Sequence, residues 1–174
     1  MEGKRPATAE EVKALANPLR LRVLRLCWGV ALTNKELAEH LGRDPGTILH
    51  HVRVLVRNGF LSADPVRRGA RGALERPYRA SGKSWQLEMA NESGTLAMVD
   101  AFRAELAESL PRDLLMLSRL GPRLRARDVR DLRERLEALV AEFKERDDPA
   151  GIPVGILVGL HRRRKPRAAR GRKG

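Results

Sequence analysis

Between residues 33 and 61, apolar positions recur at helical spacing in two short runs separated by a turn. Thr33 and Glu36 stand at capping-box spacing, so a helix is predicted to open at Thr33. Gly42 falls where a left-handed residue closes that helix. Asp44 supplies an N-cap, and Pro45 follows at the first helical position, where its missing N–H costs nothing. In the second helix Ile48, Val52 and Leu55 share one apolar stripe at about 100° per residue. The other side carries Gly46, His50, Arg53 and Arg57, with Thr47 and Leu49 at its flanks. Asn58-Gly59 stops it. Two helices joined by a short Gly-containing turn make a helix-turn-helix, whose second helix commonly enters the DNA major groove. The bland alternative is a helix pair with an ordinary solvated surface.

The pattern continues on both sides. Residues 1–7 read as a frayed start. Thr8 caps a short helix with Val12, Leu15 and Ala16 inward. Asn17-Pro18 breaks it, because the residue before Pro is pushed out of the α region. A helix over 18–28 then turns Leu19, Val23, Leu26 and Cys27 inward and leaves Arg20, Arg22 and Arg25 wet. After Gly59, residues 60–66 read as a strand, 67–72 as a Gly- and Arg-rich loop, and 73–80 as the returning strand. Pro77 argues for an edge position. Such a hairpin with a basic tip, Arg67, Arg68 and Arg71, forms a wing when it follows a helix-turn-helix. Its arginines would face phosphates or a minor groove, where the negative potential favours Arg.

Beyond residue 83 the pattern is helical over 84–110 (Leu87, Met89, Ala90, Leu96, Met98, Val99, Phe102, Leu106, Leu110). Asn91 to Gly94 is a possible break. A shorter helix is predicted over 114–120, closed by Gly121-Pro122. Arg127-Asp128 opens an amphipathic helix with Val129, Leu132, Leu136, Leu139, Val140 and Phe143 on one side. Its charges alternate in sign, as on a salt-bridged exposed face. Asp147-Asp148-Pro149 ends it, and residues 152–160 (IPVGILVGL) read as a short strand. The tail from Arg162 onward is expected to be disordered. The fold class is thus mainly α with a small β-wing. Residues 1–83 form a winged helix-turn-helix domain, 84–160 a helical dimerisation or effector region, and 161–174 a basic tail.

Charge sharpens this picture. The net charge is +13 and the isoelectric point near 11.2, which favours nucleic acid or an anionic surface as partner. Residues 1–90 hold 16 basic and 9 acidic side chains, net +7; 91–160 hold 11 and 13, net −2; 161–174 hold 8 and none, net +8. The ends, and not the middle, suit a polyanion. Hydrophobic residues make up 42% of the 174, enough for a core. At 3% aromatic, that core must be built from Leu, Val and Ala. The single cysteine, Cys27, excludes an internal disulfide. No apolar run approaches the roughly 20 residues of a membrane span, and the polar N-terminus lacks a signal-peptide core. A cytoplasmic, nucleoid-associated protein is expected.

The chain resembles the ArsR-like winged helix-turn-helix family of bacterial transcription regulators. The resemblance rests on Ala14-Leu15-Ala16-Asn17-Pro18-Leu19-Arg20 through Leu24, and on Glu36-Leu37-Ala38. It continues from Thr47 to Leu61, with His51, Leu55 and Gly59-Phe60-Leu61, and ends with Arg71-Gly72 and Glu75 to Ala80. It covers roughly residues 10–83. It implies a homodimeric repressor or activator on a palindromic operator. Metal-sensing members carry paired cysteines on the third helix; here that helix reads ELAEHL, and Cys27 has no partner. His50 and His51 are neighbours on a helix and diverge by about 100°, so they do not chelate as an i,i+4 pair does. Neither a metal nor a cofactor is expected.

The expected function is sequence-specific binding of double-stranded DNA as a homodimer. Thr47, His50 and Arg53 are candidates for base edges, Arg53 to a guanine above all. Arg43, Arg57 and the wing arginines are candidates for phosphates. Gly46 and Leu49 complete the DNA-facing set. Two alternatives stand beside this. One is a ligand-responsive regulator with a pocket in 84–160, for which no polar cluster is evident. The other is a nucleoid or RNA-binding protein driven by the tail. No catalytic triad, paired carboxylates or phosphate loop has motif-level spacing, so an enzyme is not expected.

Overall fold

The computed structural model of the chain describes residues 4–69, 72–88, 92–109, 112–148 and 150–163. One compact unit ends at Leu117 and a second starts at Ser118. The described residues are mainly helical, with three small sheets.

In the first unit, local capping sets each helix. α1 (Ala9–Leu15) opens with a reciprocal pair: the Glu11 N–H donates to Thr8 Oγ1, and the Thr8 N–H donates to Glu11 Oε2 at 2.8 Å. Asn17 Oδ1 accepts from the Arg20 N–H at 3.1 Å and caps α2 (Pro18–Leu26), with Pro18 in its first turn. Thr33 and Glu36 repeat the reciprocal cap at α3 (Asn34–Leu41). Gly42 ends α3 at φ 58°, a backbone conformation glycine adopts without steric cost. Asp44 Oδ2 accepts from the Thr47 N–H at 2.9 Å and opens α4 (Pro45–Arg57).

The inner faces of these helices make one core. Val23 and Cys27, Leu37, Ile48, Val52, Leu55 and Phe60 are 0–1% exposed. Burying a side chain of this size contributes about 1.5–3 kcal/mol, so these residues fix the mutual packing of α2, α3 and α4. Aliphatics dominate, with Phe60 the one aromatic among the fully buried residues.

β3 (Leu61–Ala63) leaves that core and β6 (Pro77–Ala80) returns to it, in antiparallel register Leu61 to Ala80. β2 (Leu32–Thr33) pairs on the other side of β6. Farther out, β4 (Arg67–Arg68) pairs with β5 (Leu74–Glu75). Pro77 therefore lies in the central strand, against the edge position predicted for it. It occupies the first residue of β6, where a missing donor is tolerated. Its carbonyl still accepts from the Asp64 N–H at 2.9 Å.

Several further expectations are corrected. The N-terminal segment is not frayed from residue 4 onward. β1 (Arg5–Pro6) pairs in parallel with β7 (Leu87–Glu88), and Arg5 clasps Glu11. Residues 84–88 are not helical: a 3-10 turn over Lys83–Gln86 leads into β7. Leu87 is 3% exposed and fills the core, a position its apolar spacing did not separate from a helix. α5 spans Glu92–Ser109; Met89, Ala90, Asn91, Leu110 and Pro111 lie outside the described residues. α5 packs on α2 through its small positions, with Ala97 and Ala101 buried. Arg22, predicted to be wet, has a side chain only 13% exposed and pairs with Glu108 of α5. Residues 114–120 form no helix. A single short segment falls well under the roughly 12–15 residues an unsupported helix needs, and Leu115, Met116 and Leu117 stand exposed without a packing face.

In the second unit, α6 (Ala126–Glu145) is 20 residues long and has no buried side chain. Residues 152–160 form no strand. Pro149 and the tail from residue 164 lie outside the described residues. No described helix is long and apolar enough to cross a membrane.

Candidate nucleic-acid interface

The two sides of α4 are chemically opposite. Ile48, Val52 and Leu55 are fully buried, so the rotation of the helix is fixed. That rotation leaves Gly46, Thr47, His50, Arg53 and Arg57 exposed on the far side, with Leu49 half-buried at the flank. The face predicted from spacing is therefore one continuous solvent face. It carries two arginines and a histidine, with small residues at its N-terminal end.

The angle between α3 and α4 is held by a side chain. Asn34 Nδ2, at the start of α3, donates to the Pro45 carbonyl at the start of α4, 2.9 Å away. Arg43 lies exposed in the turn between them. Gly46 touches the helix cap directly: a Cβ built there would lie 2.9 Å from Asp44 Oδ2. The absence of a side chain at 46 is thus what leaves room for the Asp44 cap.

His50 and His51 meet edge to face with ring centroids 5.4 Å apart. His51 is half-buried, and its Nδ1 is buried without a hydrogen-bond partner among the described residues. Burial lowers its pKa, and the nearby Arg20 and His50 push the same way. That shift favours the neutral ring of His51, which suits a packing role. Burial also pushes the Cys27 thiol up to about 12. It stays protonated at neutral pH and is a poor nucleophile or metal ligand.

The hairpin stands beside this face. Arg67 and Arg68 are exposed on β4; Arg71 lies outside the described residues. Arg67 is not free: its Nη2 lies 3.0 Å from Glu36 Oε1, and its Nε 4.0 Å from Glu75 Oε2. Glu36 thereby joins the cap of α3 to the hairpin. Its carboxyl is held below the ordinary range, first by the Thr33 backbone N–H and also by Arg67. Arg79 is likewise engaged, with Asp64 at 3.2 Å.

Between α4 and the hairpin runs an open groove. His50, Val52, Arg53, Val56 and Arg57 line it from the helix, Ala63 and Tyr78 from the strands, and Arg76 from the link between β5 and β6. The structure thus brings together His50, Arg53 and Arg57 from the predicted set. It adds Arg76 and Tyr78, which the motif reading did not single out as contacts. The signal for them was present: residues two apart on the strand predicted over 73–80 share a face, so Arg76 travels with Tyr78. A groove with three arginines and a histidine on its walls suits a phosphate backbone, which draws its affinity from Lys and Arg. Among the described residues, no group of three or more His, Cys, Asp or Glu side chains is placed to hold a metal ion.

Comparison with known proteins bears on this region. A family model described as a helix-turn-helix domain matches residues 15–62, from the end of α1 through β3. No curated protein matches the chain. The match falls on the elements that build and carry the exposed α4 face, and it supports DNA binding by a helix-turn-helix regulator.

Proposed function

We propose that this chain is an ArsR-like transcription regulator that binds a palindromic operator as a homodimer. Residues 1–83 read DNA, and residues 84–160 contribute the dimer contacts. The observation that carries the reading is α4 itself. Its apolar side is locked into the core, while Thr47, His50, Arg53 and Arg57 face outward beside an arginine-bearing hairpin. This arrangement suits a helix lying in the major groove with a wing on the flanking backbone. Thr47, His50 and Arg53 read base edges, Arg53 by paired hydrogen bonds to a guanine. Arg43, Arg57, Arg68 and Arg76 meet phosphates and fix the register. The dimer sets two half-sites about one helical turn apart.

The test is selection of bound duplexes from a random pool at stated salt, followed by affinity measurements on the selected and a scrambled sequence. Arg53→Ala is expected to lose about 1–3 kcal/mol of discrimination at one base pair. Arg68→Ala is expected to weaken both duplexes equally and to reduce the salt slope by about one. Equal losses on both duplexes for Arg53→Ala would remove the base-reading role. Deleting residues 161–174 is expected to lower affinity while leaving the preference. A preference lost with the tail would favour the charge-driven reading.

A further inference from the structure

α6 carries a repeat that its surroundings in the second unit cover only in part. Val129, Leu132, Leu136, Leu139 and Phe143 follow one another at spacings of three, four, three and four. This is the a/d repeat of a coiled coil, with Val129, Leu136 and Phe143 at a and Leu132 and Leu139 at d. A repeat of this kind makes a narrow seam for another helix, unlike the wider stripe of a helix resting on a globular core. Leu139 is 51% and Phe143 52% exposed, and Val129, Leu132 and Leu136 are half-buried.

We infer that this seam pairs with α6 of a second copy, running antiparallel, with Leu136 opposite the other copy's Leu139. The inference rests on the homodimer proposed above and names the element that makes it. In this register Leu132 faces Phe143 of the second copy, so four consecutive layers are wholly apolar. A bulky Phe lies against Leu in two of them and never against itself. Opposite charges flank the seam in either direction, and what lies at its C-terminal end separates the two. Antiparallel pairing brings Arg135 beside Glu142 of the second copy, twice by symmetry, and flanking charges of this kind set orientation. Parallel pairing would bring Asp128 beside Arg133 of the second copy, but it would also put Arg135 beside Val140, stack Phe143 on Phe143, and bring Glu142 towards Asp147. Antiparallel helices also set opposite ends of their dipoles side by side. Arg135 and Glu142 are exposed and reach only neighbours one turn away on their own helix, Asp131 and Arg146. They remain within reach of a partner helix. A 20-residue helix spans about 30 Å, so the pair forms a rod with its two-fold axis between Leu136 and Leu139.

The experiment uses the full chain. Its mass in solution is measured by sedimentation, and single-cysteine reporters then read the register. Cys27 is buried with its thiol pushed up to about 12, so it does not interfere. Leu132→Cys and Phe143→Cys chains, carrying different tags, are co-expressed and mildly oxidised. The mixed disulfide is expected about tenfold above either chain alone, because the two Leu132 positions lie about 16 Å apart along an antiparallel pair, beyond disulfide reach. A monomer by sedimentation would overturn both this inference and the homodimer. A dimer without the mixed disulfide would overturn the α6 pairing alone, with the seam covered by this chain's own first unit or by another protein. A dimer in which Leu132→Cys links to itself would overturn the antiparallel direction.

Discussion

α4 and α6 are both strongly amphipathic helices, yet they meet different fates. On α4 the apolar side is fully buried: Ile48, Val52 and Leu55 are 0% exposed. On α6 no side chain is buried at all. The neighbours that each helix has along the chain are part of the difference. α4 is one of four helices joined by loops of a few residues, so its stripe finds neighbours within the same short stretch of chain. α6 follows an irregular segment over 112–125 and precedes irregular stretches over 146–148 and 150–163. A periodic stripe states that a face will be covered, and its width hints at the shape of the cover without saying which chain supplies it.

The largest expected effect comes from truncating one large apolar residue in each unit. Phe60→Ala, 1% exposed, is expected to cost about 3–5 kcal/mol. Leu120→Ala, 89% exposed, is expected to change stability by less than about 0.5 kcal/mol. Denaturant unfolding followed by the fluorescence of Trp28 and Trp85 measures both. Similar costs would break the contrast between the two regions.

A middle-sized effect is expected at Glu11, which sharpens how the first region closes. Its side chain is 7% exposed and accepts from Arg5 at 2.6 Å and from Lys83 Nζ at 2.8 Å. Lys83 also donates to the Asn58 carbonyl at 2.7 Å and lies 5.2 Å from the centre of the Phe60 ring. One carboxylate thus joins the N-terminal strand, α1 and the turn after the hairpin. Arg5, followed by Lys83, holds it far below the usual carboxylate range. The unfolded chain takes up the proton near 4.5 and the folded chain resists it. The contribution is therefore complete above that pH and is lost as the pH falls below it. Glu11→Gln is expected to cost about 2 kcal/mol at neutral pH and to flatten the acid side of the stability curve. An unchanged acid limb would place that titration elsewhere.

The smallest effect is expected from Glu36→Gln. Glutamine still completes the capping box, so stability is expected to shift by less than about 0.5 kcal/mol. Arg67 loses its carboxylate and becomes available to a phosphate. DNA affinity is expected to rise, with a steeper dependence on salt, measured by titration at two salt concentrations. A fall in affinity would show that Glu36 orients the hairpin for binding.

These contrasts also mark what was legible in the sequence. Thr33, Glu36, Gly42, Asp44 and Pro45 act within four residues of themselves, and each does what its spacing predicts. Ile48, Val52 and Leu55 were readable because α4 is long enough for its period to show. The Glu11 clasp was not, since it joins residues 5, 11 and 83. Nor was the Arg22–Glu108 pair, made across 86 residues. Arg22 carries the local signature of a wet side chain, and only the docking of α5 covers it. In the candidate interface, the α4 residues could be named from spacing. Arg76 and Tyr78 depend on how the hairpin returns, which no local rule fixes. The failed strand over 152–160 is the converse case: an apolar run that joins none of the sheets among the described residues.

The separation of the two sides of α4 has a consequence for change over time. Thr47, His50, Arg53 and Arg57 touch solvent and not the core, so each can be exchanged at little cost to the fold. A new binding preference could arise there by single steps, each leaving a folded protein. Gly46 is the exception on that face. Any side chain at 46 displaces Asp44 from the helix start, so novelty at 46 costs stability, whereas at the other four positions it is nearly free.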